Sequence, residues 1–124
     1  DIGLIGIEGG WQVVVGGAAG KSVRKADLLV TVETTEAALE ASEVFFQYYR
    51  ENANYLERTY DFVERFGIDR VRKETVYAPD ATRQALLDRL RKSKALSYDA
   101  WLEGRHPNNP TQFIPLRPID QVVQ

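Results

Sequence analysis

A glycine-rich loop after Val15 carries the residues whose types and spacing come closest to a chemical motif. It ends in Gly20-Lys21-Ser22, as a phosphate-binding P-loop does, in which backbone N–H groups curl around the phosphates and the lysine reaches them. That motif needs four residues between its first glycine and Gly-Lys-Ser, but Gly16 and Gly20 enclose only three. The sequence therefore disfavours a nucleotide site at this loop.

The surroundings of the loop also differ from those of a P-loop. A P-loop opens a helix, whereas the residues after Ser22 lead into LLVTV at residues 28–32, a run typical of a strand. Val15 stands where the motif has its first glycine, and a β-branched residue cannot adopt the backbone that glycine adopts freely. A nucleotide-binding protein is accordingly the third of three function hypotheses.

Other residues that could do chemistry are better explained by structure. His106, the single histidine, lies in a proline-rich stretch and is a poor metal ligand on its own. Glu57 and Glu64 are each followed directly by an arginine, so they are expected to be ordinary charge on one helix face. The aromatic residues at helical spacing are expected in the core and at a domain interface: Phe45, Phe46, Tyr48, Tyr49, Tyr55 and Tyr60. No catalytic or metal-binding residue is predicted.

The composition excludes several broad classes of protein. Sixteen basic and eighteen acidic side chains give a net charge of −2, which argues against general binding to nucleic acid or to a membrane surface. No apolar run approaches the length of a membrane span. Without cysteine the chain cannot supply thiolate ligands to an iron–sulfur cluster. Because it also lacks methionine and starts within a strand-like run, we expect it to be a piece of a longer protein.

The first third of the chain predicts three strands. Residues 1–7, 11–15 and 28–34 are rich in apolar and β-branched side chains, and residues 8–10 form a turn between the first two. Three antiparallel strands leave an apolar face that must be covered. The helices that follow are expected to cover it.

The middle of the chain predicts helices. Thr34 is expected to cap a first helix that ends near residues 52–54, where the chain bends. A second helix is predicted over residues 55–66, with Gly67 as its C-cap, and a third over residues 69–75. The positions predicted to face inward are Ala38, Ala41, Phe45, Tyr48, Tyr49, Leu56, Thr59, Val63, Phe66, Val71 and Val76.

The last third predicts one more helix and an extended tail. Asp80 is expected to cap a helix over residues 81–96 that turns Leu86, Leu87 and Leu90 to one face. The remainder holds four of the five prolines and should be extended. The predicted fold class is α+β: a small antiparallel sheet of about three strands packed against two or three helices, with a further helix and an extended proline-rich C-terminal tail. The predicted domains are residues 1–76 and 77–124.

Several segments of the first 72 residues resemble one known family. YRENANYLERT at residues 49–59 is followed by VERFGI at residues 63–68. Upstream, the chain contains GGW, then VVVGG, then an arginine three residues before Asp-Leu-Leu. These segments follow one another in the same order as in that family. The block resembles the C-terminal part of the large subunit of bacterial assimilatory NAD(P)H nitrite reductases, which are members of the sirohaem and 4Fe-4S nitrite and sulfite reductase family. The tail resembles them only loosely, through SYDAW at residues 97–101.

The resemblance implies a cytoplasmic parent enzyme that reduces nitrite to ammonia with six electrons from NAD(P)H, passed through FAD, a 4Fe-4S cluster and sirohaem. In that family the last cluster cysteines precede the strand that begins this chain, which agrees with the absence of cysteine. Residues 1–76 would be the structural end of the sirohaem domain, inactive alone. The implied partners are the rest of the large subunit and, as an open alternative, a small subunit. A sulfite reductase is the near alternative.

The resemblance also predicts a cofactor contact for the glycine-rich loop. Related reductases place a Gly-Gly loop near the tetrapyrrole, and the carboxylates of sirohaem need cationic and N–H partners. The residues predicted to lie near sirohaem in the parent are Gly16, Gly17, Lys21 and Arg24, with Lys25 as a further candidate. Family members often read GGNGG here, whereas this chain reads GGAAG. Two alternatives stay open: a solvated turn, and an ion pair from Arg24 to Asp27.

A second function hypothesis comes from a different class. The tail contains PLRP and FIP segments, which can adopt a polyproline conformation and dock onto a partner chain. The chain would then be a non-enzymatic interaction module whose aromatic helices and proline-rich tail dock onto a partner chain. An excised piece with an exposed apolar face could also form a homodimer.

Overall fold

The structure, a computed structural model, describes residues 1–97 and 99. The chain divides into two compact units, Asp1–Ser93 and Lys94–Gln124. The described residues contain a three-stranded antiparallel sheet, a two-stranded sheet and four helices, which confirms the predicted α+β class. The predicted extended tail and His106 lie outside the described residues. The domain boundary predicted after residue 76 stays a prediction.

The larger sheet consists of β1 (Ile2–Ile7), β2 (Gly10–Val15) and β5 (Asp27–Val32), with β2 in the centre. Both pairings are antiparallel. The turn between β1 and β2 contains Gly9, whose φ of +81° is a conformation that favours glycine. The three strands predicted from the sequence are therefore confirmed, and the third ends two residues earlier than expected.

A bulge in β5 decides which leucine reaches the core. Val13 pairs with Val30, but the next residue, Val14, pairs with Leu28, so Leu29 is the extra residue on the bulged strand. Leu29 is 1% exposed, whereas its neighbour Leu28 is 38% exposed. The Leu29 side chain therefore lies on the buried side of the sheet, and the Leu28 side chain lies on the exposed side.

Helix α1 (Thr35–Asn52) packs on β2 and β5. Thr34 is its N-cap, as predicted, and its side-chain oxygen accepts a hydrogen bond from the Ala37 N–H at 3.1 Å. The helix ends at Asn52, and its C-cap residue Ala53 has an extended backbone, which confirms the predicted break. The buried residues of α1 are Ala38, Ala41, Val44, Phe45, Gln47 and Tyr48.

Helix α2 (Thr59–Phe66) begins four residues later than predicted. Leu56 has a φ of +60°, outside the helical region, and the Glu57 N–H donates to the Asn54 carbonyl in a turn. The Glu57 carboxylate also accepts a hydrogen bond from the Asn54 N–H. This side-chain hydrogen bond stabilises a turn at residues for which helix propensity alone predicted a helix. Tyr55 and Leu56 are 93% and 80% exposed. Neither side chain lies in the core, so the prediction that Leu56 faces inward is wrong. A domain-interface position for Tyr55 stays a prediction.

Helices α3 (Ile68–Glu74) and α4 (Asp80–Leu96) follow. Gly67, the predicted C-cap of α2, has a φ of +81°, which lets the chain turn sharply into α3. Val71 on α3 is fully buried, as predicted, and Val76 packs partly buried against the core. The predicted inward face of α4 is confirmed by its buried residues, Leu86, Leu87 and Leu90.

The core lies between the helices and one side of the sheet. This side, the inner face (Val13, Val15 and Leu29), is at most 1% exposed. Phe62 of α2 is also fully buried and forms edge-on ring contacts with Tyr48 and Tyr49, with centroids 5.9 and 5.3 Å apart. The predicted aromatic core is confirmed for Phe45 and Tyr48, which are buried, whereas Phe46 is 43% exposed and lies outside the core. The helices cover Val13, Val15 and Leu29, but Leu4, which pairs with Val13 on the same side of the sheet, is 39% exposed.

Candidate functional site

The glycine-rich loop, residues 16–26, runs from β2 to β5. Within it, β3 (Ala18–Ala19) and β4 (Val23–Arg24) pair as a short antiparallel hairpin. Sequence reasoning missed this hairpin, because two-residue strands leave no periodic pattern. Ser22 is followed by β4, and α1 is the first helix along the chain, so the loop lacks the strand–loop–helix geometry of a P-loop.

Gly16 and Gly17 are enclosed by atoms of this chain. Gly16 has a φ of +75°, and a Cβ added there would lie 2.9 Å from the Cβ of Val63. A Cβ at Gly17 would lie 3.0 Å from the Cβ of Ala26. Both distances are shorter than ordinary contacts, so internal packing alone favours glycine at these positions.

Arg24 makes three hydrogen bonds within the loop region. Its Nη2 donates to the Asp27 carboxylate at 2.8 Å, and its Nη1 donates to the carbonyls of Gly16 at 3.0 Å and Lys25 at 3.4 Å. The side chains of Arg24 and Asp27 are 25% and 33% exposed. The ion pair that the sequence left open as an alternative is therefore present. Contact between Arg24 and sirohaem stays a prediction.

The predicted sirohaem-side residues do not converge on one cavity. Lys21 lies in the connection between β3 and β4 and is exposed. Two hollows flank the loop, of about 240 and 260 Å³, and both are lined by Gly17 but not by Gly16, Lys21 or Arg24. Neither hollow therefore brings the four predicted residues together.

The smaller hollow also contains a residue that sequence reasoning did not connect with the loop. Arg58, the N-cap of α2, makes no side-chain capping bond and lines the hollow beside Thr59. Only the fold brings Arg58 to the loop, so no local sequence pattern could have revealed it.

The other side of the sheet is uncovered by described residues. This side, the outer face (Ile5, Gln12, Val14 and Leu28), borders a shallow depression of about 530 Å³. Ile5 is 49% exposed and Leu28 is 38% exposed. Sequence reasoning expected the helices to cover the apolar side of the sheet, but the apolar side chains lie on both faces.

Ionisable groups elsewhere make structural contacts. Arg65 donates to both carboxylate oxygens of Glu57, at 2.8 and 2.6 Å, and these hydrogen bonds lower the pKa of Glu57. Burial raises the pKa of Tyr48, and its hydrogen bond to Glu74 raises it further, so the phenol stays protonated at neutral pH. Neither group is poised as an acid or base. Glu57 precedes α2, so the prediction that it shares a helix face with Glu64 is wrong.

Comparison with known protein families identifies the family of this chain. Residues 1–81 match the family described as the nitrite and sulphite reductase 4Fe-4S domain. The chain belongs to this family. The family resemblance that the sequence segments indicated is confirmed. No solved structure gives a significant match.

Three curated relatives are similar to the chain over part of their own length. It is 43% identical over 101 residues to the NAD(P)H nitrite reductase of Bacillus subtilis strain 168, covering 82% of this chain and 12% of the relative. It is 33% identical over 86 residues to the assimilatory nitrate reductase electron transfer subunit of the same organism, covering 69% and 11%. It is 36% identical over 73 residues to the assimilatory-type sulfite reductase of Nitratidesulfovibrio vulgaris Hildenborough, covering 59% and 34%. The chain therefore spans a minor part of each relative.

The residues of this 4Fe-4S domain chain do not fit a cluster site. Its sequence contains no cysteine, so it supplies no thiolate ligand to a 4Fe-4S cluster. Among residues 1–97 and 99, no group of three or more side chains of metal-binding type is placed to hold a metal ion. Within the same described range, no helix is long and apolar enough to cross a membrane.

Proposed function

We propose that this chain is the structural C-terminal portion of a sirohaem-dependent nitrite reductase, which reduces nitrite to ammonia with six electrons from NAD(P)H. The observation that carries the proposal is the 43% identity to NAD(P)H nitrite reductase over 101 residues. The parent enzyme would contain FAD, a 4Fe-4S cluster and sirohaem, and would work in the cytoplasm.

The chemistry of the chain supports a structural role. It has no cysteine for a cluster. Its most perturbed carboxylates, Glu51, Glu57 and Glu74, are each hydrogen-bonded to a side chain of this chain, which lowers their pKa values. The chain alone would therefore be inactive, and the electron-carrying groups of the parent would lie in other segments.

The outer face supports docking against the rest of the large subunit. Its exposed aliphatic side chains, Ile5 and Leu28, are flanked by Lys25 and Asp27 around one depression. An apolar patch with a charged rim is typical of a surface that further protein covers. The chain corresponds to only 12% of the nitrite reductase relative, so most of that polypeptide is available to cover it. A small subunit is a further proposed partner.

A sulfite reductase is the second candidate for the parent enzyme. The relative of that name is 36% identical over 73 residues, a lower identity over a shorter segment than that of the nitrite reductase. Nitrite is therefore the proposed substrate. The PLRP and FIP segments of the interaction-module hypothesis lie outside the described residues.

The test is to purify the parent protein anaerobically, record its visible absorption spectrum, and assay ammonia after adding nitrite and a reduced electron donor. Sirohaem absorption with nitrite-dependent ammonia is expected. The 124-residue chain alone is the matched control and should give neither. Sulfide formation from sulfite without ammonia from nitrite would transfer the assignment to sulfite reduction. A colourless, inactive parent would overturn the proposal.

A further inference from the structure

Four residues lie together at the start of the glycine-rich loop and are here called the brace (Gly16, Arg24, Asp27 and Val63). Arg24 donates to the Gly16 carbonyl at 3.0 Å and to the Asp27 carboxylate at 2.8 Å. A planar guanidinium can bind a carbonyl and a carboxylate together, which the ammonium of lysine does less well. The guanidinium of Arg24 thus has hydrogen-bond partners within the chain.

The other side of Gly16 is closed by α2. A Cβ at Gly16 would lie 2.9 Å from the Cβ of Val63 and 3.1 Å from Nη1 of Arg24. Val63 is 0% exposed, and Gly16 is itself buried. A bound tetrapyrrole therefore has no open surface of Gly16 to lie against. The positive φ of Gly16 instead lets the chain leave β2 without striking α2.

We infer that the brace holds the glycine-rich loop against α2 and that Gly16 and Arg24 do not fit as direct partners of sirohaem. This reverses the cofactor role that the family resemblance implies for these two residues. The contacts all lie within residues 16–63, so the brace forms in the cofactor-free chain. It is independent of whether the parent reduces nitrite.

Lys21 offers a matched contrast to Arg24. Both cations belong to the same loop, but Lys21 is exposed and lies outside the brace. If both served only a cofactor, replacing either with the other basic residue would leave the cofactor-free chain equally stable. The brace makes the two substitutions differ, because Arg24→Lys keeps the charge and removes the planar donor pair.

The first experiment is urea unfolding of the cofactor-free 124-residue chain with Arg24→Lys and, as the control, Lys21→Arg. Arg24→Lys should lower the folded-to-unfolded ratio about tenfold, the effect of losing charge-assisted hydrogen bonds. Lys21→Arg should stay within about twofold of the wild type, as exposed substitutions usually do. An Arg24→Lys chain that fails to fold while Lys21→Arg folds would also support the brace. Equal stability of Arg24→Lys and the wild type would overturn it.

The second experiment measures sirohaem absorbance per polypeptide in the soluble full-length protein carrying Arg24→Lys. If the brace is correct, the full-length Arg24→Lys protein should contain as much sirohaem as the wild type. The cofactor-free chain with the same substitution should unfold at a lower urea concentration than the wild-type chain. Loss of sirohaem with an unchanged midpoint would overturn the brace. A wild-type parent without sirohaem would count against the proposed function, while the urea comparison in the chain would still decide the brace.

Discussion

The two faces of the sheet are built from similar side chains and have opposite environments. Leu28 and Leu29 are adjacent in sequence, yet Leu29 is 1% exposed under the helices and Leu28 is 38% exposed on the outer face. The bulge at Leu29 separates them. Apolar composition therefore does not distinguish the two faces. The inner face packs against the helices of the described residues, and the outer face is the one that the proposed parent would cover.

This difference separates two kinds of apolar residue. Residues of the inner face stabilise the chain itself, since they pack against α1 and α2. Residues of the outer face contribute little to that stability, and their burial would stabilise the contact with the rest of the reductase. Substitutions on the two faces should therefore have different effects in the chain and in the parent.

The largest expected effect comes from Leu29→Ala. Removing this fully buried side chain should reduce the free energy of unfolding by about 2–5 kcal/mol. Leu28→Ala is the matched control, and it should cost about 1 kcal/mol or less because the side chain is already partly in water. Urea unfolding of the 124-residue chain measures both. Equal losses for the two leucines would contradict the distinction between the faces.

The second-largest effect is expected at the N-terminus of α1, the helix that packs on the inner face. Thr34→Ala removes the N-cap bond to the Ala37 N–H and should reduce the free energy of unfolding by about 1 kcal/mol. Thr34→Ser keeps a side-chain oxygen at the cap and should recover most of the loss. Thermal unfolding followed by circular dichroism measures both variants. A serine variant no better than alanine would show that the cap bond is not the cause.

The smallest effect is expected at the ion pair between Glu51 of α1 and Arg89 of α4. The hydrogen bond from Arg89 lowers the pKa of Glu51. Because the folded pKa lies below the unfolded value of about 4.3, the stabilisation is present above that pH and is lost as pH falls through the folded pKa. Glu51→Gln should cost at most about 0.5 kcal/mol at pH 7, since the side chains of Arg89 and Glu51 are 49% and 31% exposed and water screens the pair.

Urea midpoints at pH 7 and at about pH 3 check the Glu51→Gln prediction, because pH 3 lies below the unfolded pKa of about 4.3, where the stabilisation from the charged carboxyl has begun to be lost. The difference between wild type and variant should shrink at the lower pH. A difference that stays constant would assign the effect to packing rather than to charge.

The sequence predicted what local patterns encode. Alternating apolar residues predicted the three strands, and Thr34 and Gly67 marked helix boundaries that the structure confirms. The segment at residues 49–59 indicated the family that residues 1–81 confirm. Each of these features depends on neighbours in sequence, so each leaves a readable pattern.

The misses depend on contacts between distant residues. The turn before α2 is closed by Glu57, whose carboxylate is held by Arg65 eight residues later. The brace joins Gly16 to Val63, and Arg58 reaches the loop only through the fold. A one-residue bulge put Leu29, and not Leu28, in the core. No local period records such contacts, so the sequence alone predicted the fold better than the surroundings of the loop.

The most direct test of the structural role is hydroxyl-radical footprinting of side chains, compared between the 124-residue chain and the full-length reductase. Ile5 and Leu28 should be labelled in the chain, where they are 49% and 38% exposed, and should be strongly protected in the full-length protein. Val13 should be protected in both. Equal labelling of Ile5 and Leu28 in the two proteins would contradict the account, because the outer face would then remain in water in the intact enzyme.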